Sequence, residues 1–291
     1  MRLDRGDELS AGAAGAAGPA PGAGSEAPRC AFGFVGCGRI VTATVRGLVA
    51  SGHPAEGIVA TSRTNAGASA LAEEQGIRVA GGAAEVVRFA DTVVLAVDPA
   101  EAPGVVAELA GTLREGQLLV SFVASYRLAT LEKALHGPVV RAVPNVALAV
   151  REGVAAVAAG QRVERAHWRQ VHALLGGIGH VVVTDDASME LVSAVAGAGP
   201  ALFSAFGEAL AGEAVARGLD ETTAKVLVAQ SLRGTGVLLG AGMSLPEIAG
   251  MVASPGGMTR AALDALAARD ISGTLGASVD AALDVSHRRL V

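Results

Sequence analysis

The chain has few aromatic residues, few cysteines and no excess of positive charge. Aromatic side chains make up 3% of its 291 residues, whereas apolar residues make up 51%. The apolar residues are mainly Ala, Val and Leu, whose small side chains let helices approach closely and suit an intertwined subunit interface. The net charge is −5 and no basic patch stands out, which argues against a nucleic acid as the partner.

The cysteines and the N-terminal stretch lead to expectations about localisation. Cys30 and Cys37 form neither a disulfide framework nor a metal-ligand spacing, so a reducing cytoplasm is the simplest expectation. No apolar run approaches the length needed to span a membrane, and we expect no membrane partner. Residues 1–29 are rich in Ala, Gly and Pro, lack the apolar segment of a signal peptide, and are predicted to be a disordered extension.

Several catalytic motifs are also missing. The sequence has no HExxH or CxxC metal-binding spacing, no GxSxG nucleophile elbow and no GxxxxGK[ST] phosphate loop. The six histidines have no motif partner. These absences argue against hydrolase and kinase chemistry, and we expect no metal site.

Residues 30–186 alternate between short apolar runs and helical patterns. The runs typical of buried strands are CAFGFVG, GIVATSR, DTVVLAVDP, QLLVSFVAS, PVVRAVPN and GHVVVTDD. Helical patterns separate most of them. This alternation predicts an α/β fold, in which residues 30–186 form a Rossmann-type domain with a doubly wound parallel sheet.

Residues 187–291 lack this alternation and show long apolar segments with helical periodicity. Leu202, Phe206, Leu210 and Ala214 share one helix face, and Phe203 widens it. A later segment, TTAKVLVAQSLRGTGVLLG, carries very few charges around its circumference. Because a helix that is apolar all round must be buried and this half has a limited interior, we predict an all-α dimerisation domain.

The turn after the first predicted strand, GFVGCGRIV, places Gly36 and Gly38 before a predicted helix. Glycines there allow a tight bend and the close approach of a dinucleotide pyrophosphate, which sits on the helix N-terminus. The third glycine of the dinucleotide motif is replaced by Val41. An ordinary strand–helix turn is the alternative interpretation.

The end of the second predicted strand indicates which dinucleotide is used. An NAD site favours an acidic residue at this position, but the chain has TSRTN. Ser62 offers a hydroxyl and Arg63 a fork of donors, which suit the 2′-phosphate of NADPH, with NADH as the second choice. A solvated loop arginine is the alternative for Arg63. Asn145, at the end of a later strand, could contact the cofactor or stabilise its own turn.

The Ser-Pro-Gly-Gly turn at 254–257 precedes a predicted helix in the second half. It could be simple punctuation, or its free backbone N–H groups could bind an anion. In the absence of an evident acid, base or nucleophile, the chemistry that remains is hydride transfer to a substrate that needs little proton transfer. A protonated cyclic imine fits, with its carboxylate held by oriented dipoles.

These motifs together resemble the pyrroline-5-carboxylate reductases, which reduce a cyclic imino acid to proline with NAD(P)H. The resemblance rests on SPGGMT (254–259), FGFVGCGRI (32–40), AVDP (96–99), RAVPN (141–145), VREG (150–153) and GAGPALF (197–203). It implies an N-terminal dinucleotide domain and a helical domain that interlocks two subunits, as a homodimer or an oligomer of dimers.

The resemblance also implies the site residues. The cofactor would be bound by Gly36, Cys37, Gly38, Arg39, Ile40, Ser62, Arg63, Ala96, Val97, Pro99, Ala124 and Asn145. The substrate carboxylate would be held by Ser254, Gly256, Gly257, Met258 and Thr259, and the hydroxyl of Thr259 would lie close to the ring as the catalytic candidate.

The chain departs from the family pattern at several positions, which are Asp98, Ser125, Ala196, Ala198, Leu202 and Met258. The substitutions on the substrate side are polar to apolar, and such changes alter which ring fits a pocket. Two alternatives therefore stay open beside reduction of pyrroline-5-carboxylate. One is reduction of a different cyclic imine in specialised metabolism, and the other is a non-catalytic paralogue.

Overall fold

A computed structural model describes residues 30–124 and 126–289. The predicted extension at 1–29 and Ser125 lie outside the described residues. The sheet has eight strands: β1 Cys30–Val35, β2 Ile58–Thr61, β3 Arg78–Val79, β4 Ala90–Leu95, β5 Leu118–Ser121, β6 Val139–Pro144, β7 Gly153–Ala159 and β8 Gly179–Val183.

Within the described residues, twelve α-helices accompany the sheet. They are α1 Arg39–Ala50, α2 Ala66–Gln75, α3 Ala83–Phe89, α4 Ala102–Ala110, α5 Leu128–Ala134, α6 Arg165–Leu175, α7 Met189–Val192, α8 Gly199–Ala216, α9 Glu221–Gly240, α10 Leu245–Val252, α11 Met258–Ala268 and α12 Ile271–Arg289. A π-helical turn, Ser193–Gly197, separates α7 from α8.

The strands lie in the order β3-β2-β1-β4-β5-β6-β7-β8. The first six strands run parallel, as the strand–helix alternation predicts. However, β7 pairs with β6 antiparallel, and β8 pairs with β7 in parallel. The predicted α/β fold with a mainly parallel sheet is confirmed, and β7 and β8 extend this sheet in the opposite direction.

Two apolar clusters cover the two faces of the sheet. Side chains of α3, α4 and α5 pack on one face, and side chains of α1, α2 and α6 pack on the other. Along β4 the residues are buried almost without interruption, because Val93 and Leu95 belong to one cluster and Val94 to the other. A strand covered on both faces is continuously apolar, as in other parallel sheets.

The helical half is largely exposed in the single chain. Helices α8 and α9 pack together where Gly207 allows Val228 and Leu232 to approach. Yet Phe203 on α8 remains 67% exposed, and Phe206 and Leu210 are also exposed. These are the residues for which the helical periodicity predicts a shared face.

The expectation that no apolar run is long enough to span a membrane was wrong as stated. Among the described residues, the helical stretch Asp186–Ala216 is long and apolar enough, judged by length and composition alone. Its mean hydropathy is 1.4 and 22% of its most apolar window is buried. Its exposed apolar side chains are equally consistent with burial against a second subunit.

Candidate active site

The turn between β1 and α1 is shaped by Gly36. Its φ of +98° is a conformation that favours glycine, and its N–H donates to the Thr61 carbonyl at 2.9 Å. A Cβ added at Gly36 would lie 2.3 Å from the carbonyl oxygen of Ala96, so no larger residue fits. The glycine therefore brings the ends of β1, β2 and β4 together at one edge of the sheet.

Helix α1 begins directly after this turn, with Gly38 as its N-cap. No side chain caps the first N–H groups, and a Cβ added at Gly38 would meet nothing within 4 Å. Unpaired N–H groups facing open space at a helix N-terminus attract an anion. Cys37, Arg39 and Ile40 flank this position, and the geometry fits the pyrophosphate of a dinucleotide.

Cys37 is a free thiol in the same turn. Burial raises the pKa of the Cys37 thiol, because a thiolate is poorly solvated there. The thiol form is a weak nucleophile. Cys37 is therefore a poor candidate for a nucleophile, and its contact with the cofactor stays a prediction.

Asn65 organises the turn after β2, a role that the sequence interpretation missed. Its Oδ1 accepts from the Ser62 N–H at 3.0 Å and the Thr61 hydroxyl at 3.1 Å, and its Nδ2 donates to the Ala80 carbonyl at 3.2 Å. Its φ is +56°, which Asn tolerates better than most residues. An Asn placed four residues after a strand and just before a helix was the available signal.

Ser62 and Arg63 lie at the open end of this turn. The Ser62 hydroxyl accepts from the Ala68 N–H at 3.4 Å. The Arg63 side chain is 81% exposed, and its Nε lies 3.4 Å from Oε1 of Glu101, at the start of α4. The guanidinium is thus near a carboxylate but free to turn toward another anion, and its role in binding NADPH stays a prediction.

The turn after β4 lies beside Gly36. The Ala96 N–H donates to the Val35 carbonyl at 2.8 Å, which keeps the chain next to β1 as it leaves the sheet. The Asp98 carboxylate accepts from the Ala100 N–H at 2.9 Å and so stabilises its own turn. Ala96, Val97 and Pro99 consequently lie at the carboxyl edge of the sheet, where such folds bind ligands.

Asn145 has an observed structural role at the end of β6. Its Oδ1 accepts from the Ala147 N–H at 3.2 Å and the Val154 N–H at 3.3 Å, and its Nδ2 donates to the Ala196 carbonyl at 3.2 Å. Of the two roles left open by the sequence, stabilisation of its own turn is therefore seen. Contact with the cofactor stays a prediction.

Arg141, on β6, was not recognised from the sequence as a site residue. Its side chain is completely buried and forms ion pairs with Asp186 and Glu190. It also donates to the carbonyl of Ala124, one of the predicted cofactor contacts. An Arg between buried apolar strand residues was the available signal, because a buried charge requires partners.

The Ser-Pro-Gly-Gly turn lies between α10 and α11. Gly256 has a φ of +73°, and the Gly257 N–H donates to the Ser254 carbonyl at 3.0 Å. Gly257 is the N-cap of α11 and provides no side-chain cap, so the first N–H groups of this helix also have no side-chain partner. Met258 is 92% exposed, and Thr259 is half-buried.

The predicted cofactor residues meet at one sheet edge, but the predicted substrate loop stands apart. Within residues 30–124 and 126–289, no hydrogen bond or ion pair links Ser254–Thr259 to the turns after β1, β2 or β4. Likewise, no group of three or more His, Cys, Asp and Glu side chains in this part of the chain could hold a metal ion.

Comparison with known families matches both halves of the chain. The model described as pyrroline-5-carboxylate reductase dimerisation matches residues 186–289. The model described as NADP oxidoreductase coenzyme F420-dependent matches residues 31–125.

Individual relatives give the same result. The pyrroline-5-carboxylate reductase of Mycobacterium tuberculosis is 33% identical over 88% of this chain and 94% of its own length. That of Pseudomonas aeruginosa is 34% identical over 90% and 95%.

Solved structures have the same fold. The pyrroline-5-carboxylate reductase of Coxiella burnetii has a TM-score of 0.82 and 27% identity over 90% of this chain and 99% of its own. A Plasmodium falciparum pyrroline carboxylate reductase, solved with NADP bound, has a TM-score of 0.80 and 23% identity over 89% and 98%. On the strength of the two curated relatives, the chain belongs to the pyrroline-5-carboxylate reductase family.

Proposed function

We propose that the protein reduces 1-pyrroline-5-carboxylate to proline with NADPH, as a step in proline biosynthesis. The observation that carries the proposal is the pair of uncapped helix N-termini, one after Gly38 and one after Gly257. The first suits the pyrophosphate of the cofactor and the second suits the carboxylate of the substrate. The names of the Mycobacterium tuberculosis and Pseudomonas aeruginosa relatives support the same substrate.

The cofactor is held by the turns at the carboxyl edge of the sheet. Gly36–Ile40 receives the pyrophosphate, while Ala96, Val97, Pro99, Ala124 and Asn145 lie along the nicotinamide side. Ser62 and Arg63 recognise the 2′-phosphate, and the match of residues 31–125 to an NADP oxidoreductase model supports NADPH over NADH. When bound, NADPH supplies the hydride that reduces the imine carbon.

The substrate is held by the Ser254–Thr259 loop. Backbone N–H groups of Gly256, Met258 and Thr259 donate to the carboxylate, and the hydroxyl of Thr259 lies beside the ring. Gly257, whose own N–H donates to the Ser254 carbonyl, keeps the loop open for the carboxylate. Because the loop contains no charged side chain, it orients the carboxylate without a competing base. The proton arrives with the substrate as the iminium, so proline leaves with the hydride on its ring carbon.

The helical half completes the protein as an oligomer. The dimerisation family model matches residues 186–289, and the exposed apolar face of α8 supports a subunit contact there. We propose that residues 30–186 are the dinucleotide-binding domain, that residues 187–291 bind substrate and form a homodimer or an oligomer of dimers, and that the protein works in the cytoplasm.

The test is NADPH oxidation by the purified full-length protein with 1-pyrroline-5-carboxylate, with proline measured as the product. We expect saturable oxidation that is slower with NADH. Oxidation only with other cyclic imines would replace the substrate, which the apolar residues Ala196, Ala198, Leu202 and Met258 make the first point to check. NADPH binding without oxidation of any imine would indicate a non-catalytic paralogue and contradict the proposal.

A further inference from the structure

Arg141 is a completely buried arginine in the sheet. Its Nη1 donates to Oδ1 of Asp186 at 2.7 Å, and its Nη2 donates to Oε1 of Glu190 at 3.0 Å. The same Nη2 donates to the carbonyl of Ala124. The planar fork of an arginine can bridge several acceptors in fixed directions, which a lysine cannot do.

These acceptors belong to separate parts of the molecule. Ala124 lies in the loop after β5, on the cofactor side of the sheet edge. Asp186 and Glu190 lie at the start of the helical half, just before and within α7. Asp186 binds the start of α5 as well, because its Oδ2 accepts from the Leu128 N–H at 3.2 Å. One arginine therefore joins the cofactor-side loop to the first helical turns of the second half.

Asn145, which directly follows β6, binds the C-terminal end of residues 186–197. Asn145 donates to the carbonyl of Ala196 at 3.2 Å. Ala196 belongs to the π-helical turn Ser193–Gly197, a form that often marks functional sites. Residues 186–197 are thus attached to the sheet at both ends, directly before α8.

Stability alone is a weak reason for such a cluster. Buried ion pairs cost desolvation free energy, and well-packed apolar residues can often replace them without loss of stability. Position is a stronger reason, since a displacement of about 1 Å in an active site can slow a reaction about 100-fold.

We propose that Arg141 is a positioning residue. It fixes residues 186–197 against the cofactor-side loop at Ala124, and so sets where the imine ring lies relative to the hydride donor. The consequence for imine reduction rests on the proposed function, whereas the attachment itself does not.

The test replaces the ion pair between Arg141 and Glu190 by apolar side chains of similar volume, in the double variant Arg141→Met with Glu190→Met. We expect a folded protein whose kcat/KM for 1-pyrroline-5-carboxylate falls about 10- to 100-fold. The Kd for NADPH changes by less than about threefold, because Gly36–Ile40, Ser62 and Arg63 are untouched and Ala124 loses only the hydrogen bond that its carbonyl accepts from Arg141. An unchanged kcat/KM in the folded variant would overturn the proposal.

A matched control is the double variant Arg46→Met with Glu74→Met. This ion pair, 2.7 Å from Nε to Oε1, joins α1 to α2 on the surface. Its loss should leave kcat/KM and the Kd for NADPH unchanged, and an equal loss of kcat/KM in the control would also count against a special role for Arg141. If the Arg141 and Glu190 double variant does not fold, Arg141→Lys is measured instead, with the same direction of change required.

Hydrogen exchange of the full-length protein separates this proposal from the proposed function. Backbone amides in 122–124, 126–128 and 186–197 should exchange faster in the Arg141 variants than in the wild type and the control. A wild type that reduces no imine would contradict the proposed function, and exchange would then decide the attachment. Unchanged exchange in all of these residues would overturn the proposed attachment of 186–197 to the loop at Ala124, whatever the activity.

Discussion

Arg63 is the residue with which the protein would distinguish NADPH from NADH. Its guanidinium is exposed and lies beside Glu101, at 3.4 Å between Nε and Oε1. A 2′-phosphate would have to compete with that carboxylate for the same donors. Such an exposed ion pair contributes little stability, so the competition is mild.

Two substitutions test this competition. Arg63→Ala should raise the Kd for NADPH about tenfold or more and leave the Kd for NADH almost unchanged, because one charge-assisted contact is lost. Glu101→Gln should lower the Kd for NADPH about two- to threefold, since it removes the competing carboxylate. Titration of both cofactors by fluorescence measures these values, and equal changes for NADPH and NADH would refute the phosphate assignment.

The residues recognised from the sequence are those that belong to short motifs. Gly36 was identified because a strand, a glycine turn and a helix follow one another along the chain. Arg141 and Asn65 act through partners that are 49 and 15 residues away, such as Glu190 and the Ala80 carbonyl. Those pairings depend on the packing of the whole sheet, so no local pattern predicts them.

For the secondary structure, strands rich in large apolar side chains were predicted correctly, and a strand of Gly and Ala residues was missed. Strand β4 is rich in Val and Leu and was found, but β7 has the sequence GVAAVAA and was missed. Its Gly and Ala residues have weak β-propensity. The two-residue β3, the seven-residue α3 and the eight-residue α10 were also missed, because short elements show too little of a period.

Helix α10 directs the chain into the Ser-Pro-Gly-Gly turn, and its start is fixed by a capping box. The Glu247 carboxylate accepts from the Ser244 N–H at 2.8 Å and from its hydroxyl at 2.7 Å. The hydrogen bond from the Ser244 side chain lowers the pKa of Glu247, so the carboxylate stays charged at neutral pH. A fixed α10 helps to hold the turn that follows it.

Loss of this cap should destabilise the protein. We expect Ser244→Ala to lower the free energy of unfolding by about 1 kcal/mol, measured by urea denaturation at fixed protein concentration. Ser272→Ala is the control, because Ser272 is exposed in the first turn of α12 and is not an N-cap. Equal losses in the two variants would argue against the cap at Ser244.

The whole molecule consists of a covered sheet and an uncovered helical half. Both faces of the sheet are packed by helices, whereas α8 presents Phe203, Phe206 and Leu210 to solvent in the single chain. Large exposed apolar patches mark interaction sites. The helical periodicity alone predicted that this face is buried by a second copy, and the dimerisation family model matches the same region.

A charge on this face should weaken the assembly. Phe206→Glu places a carboxylate in the proposed interface, so we expect dissociation to begin at a protein concentration at least about tenfold higher than for the wild type. Ala166→Glu on the exposed side of α6 is the control and should leave the assembly unchanged. Sedimentation over a concentration series measures both, and a Phe206→Glu variant as tightly associated as the wild type would contradict the interface.

A comparison of two rings tests directly whether the Ser254–Thr259 loop captures a carboxylate. We expect kcat/KM for 1-pyrroline-5-carboxylate to exceed that for 1-pyrroline, the same ring without the carboxylate, by at least about tenfold. In Gly257→Leu, whose added Cβ would lie 2.6 Å from Oγ of Ser254, the ratio should approach one with the Kd for NADPH unchanged. A wild-type ratio near one, or a ratio that is unchanged in Gly257→Leu, would contradict carboxylate capture by this loop.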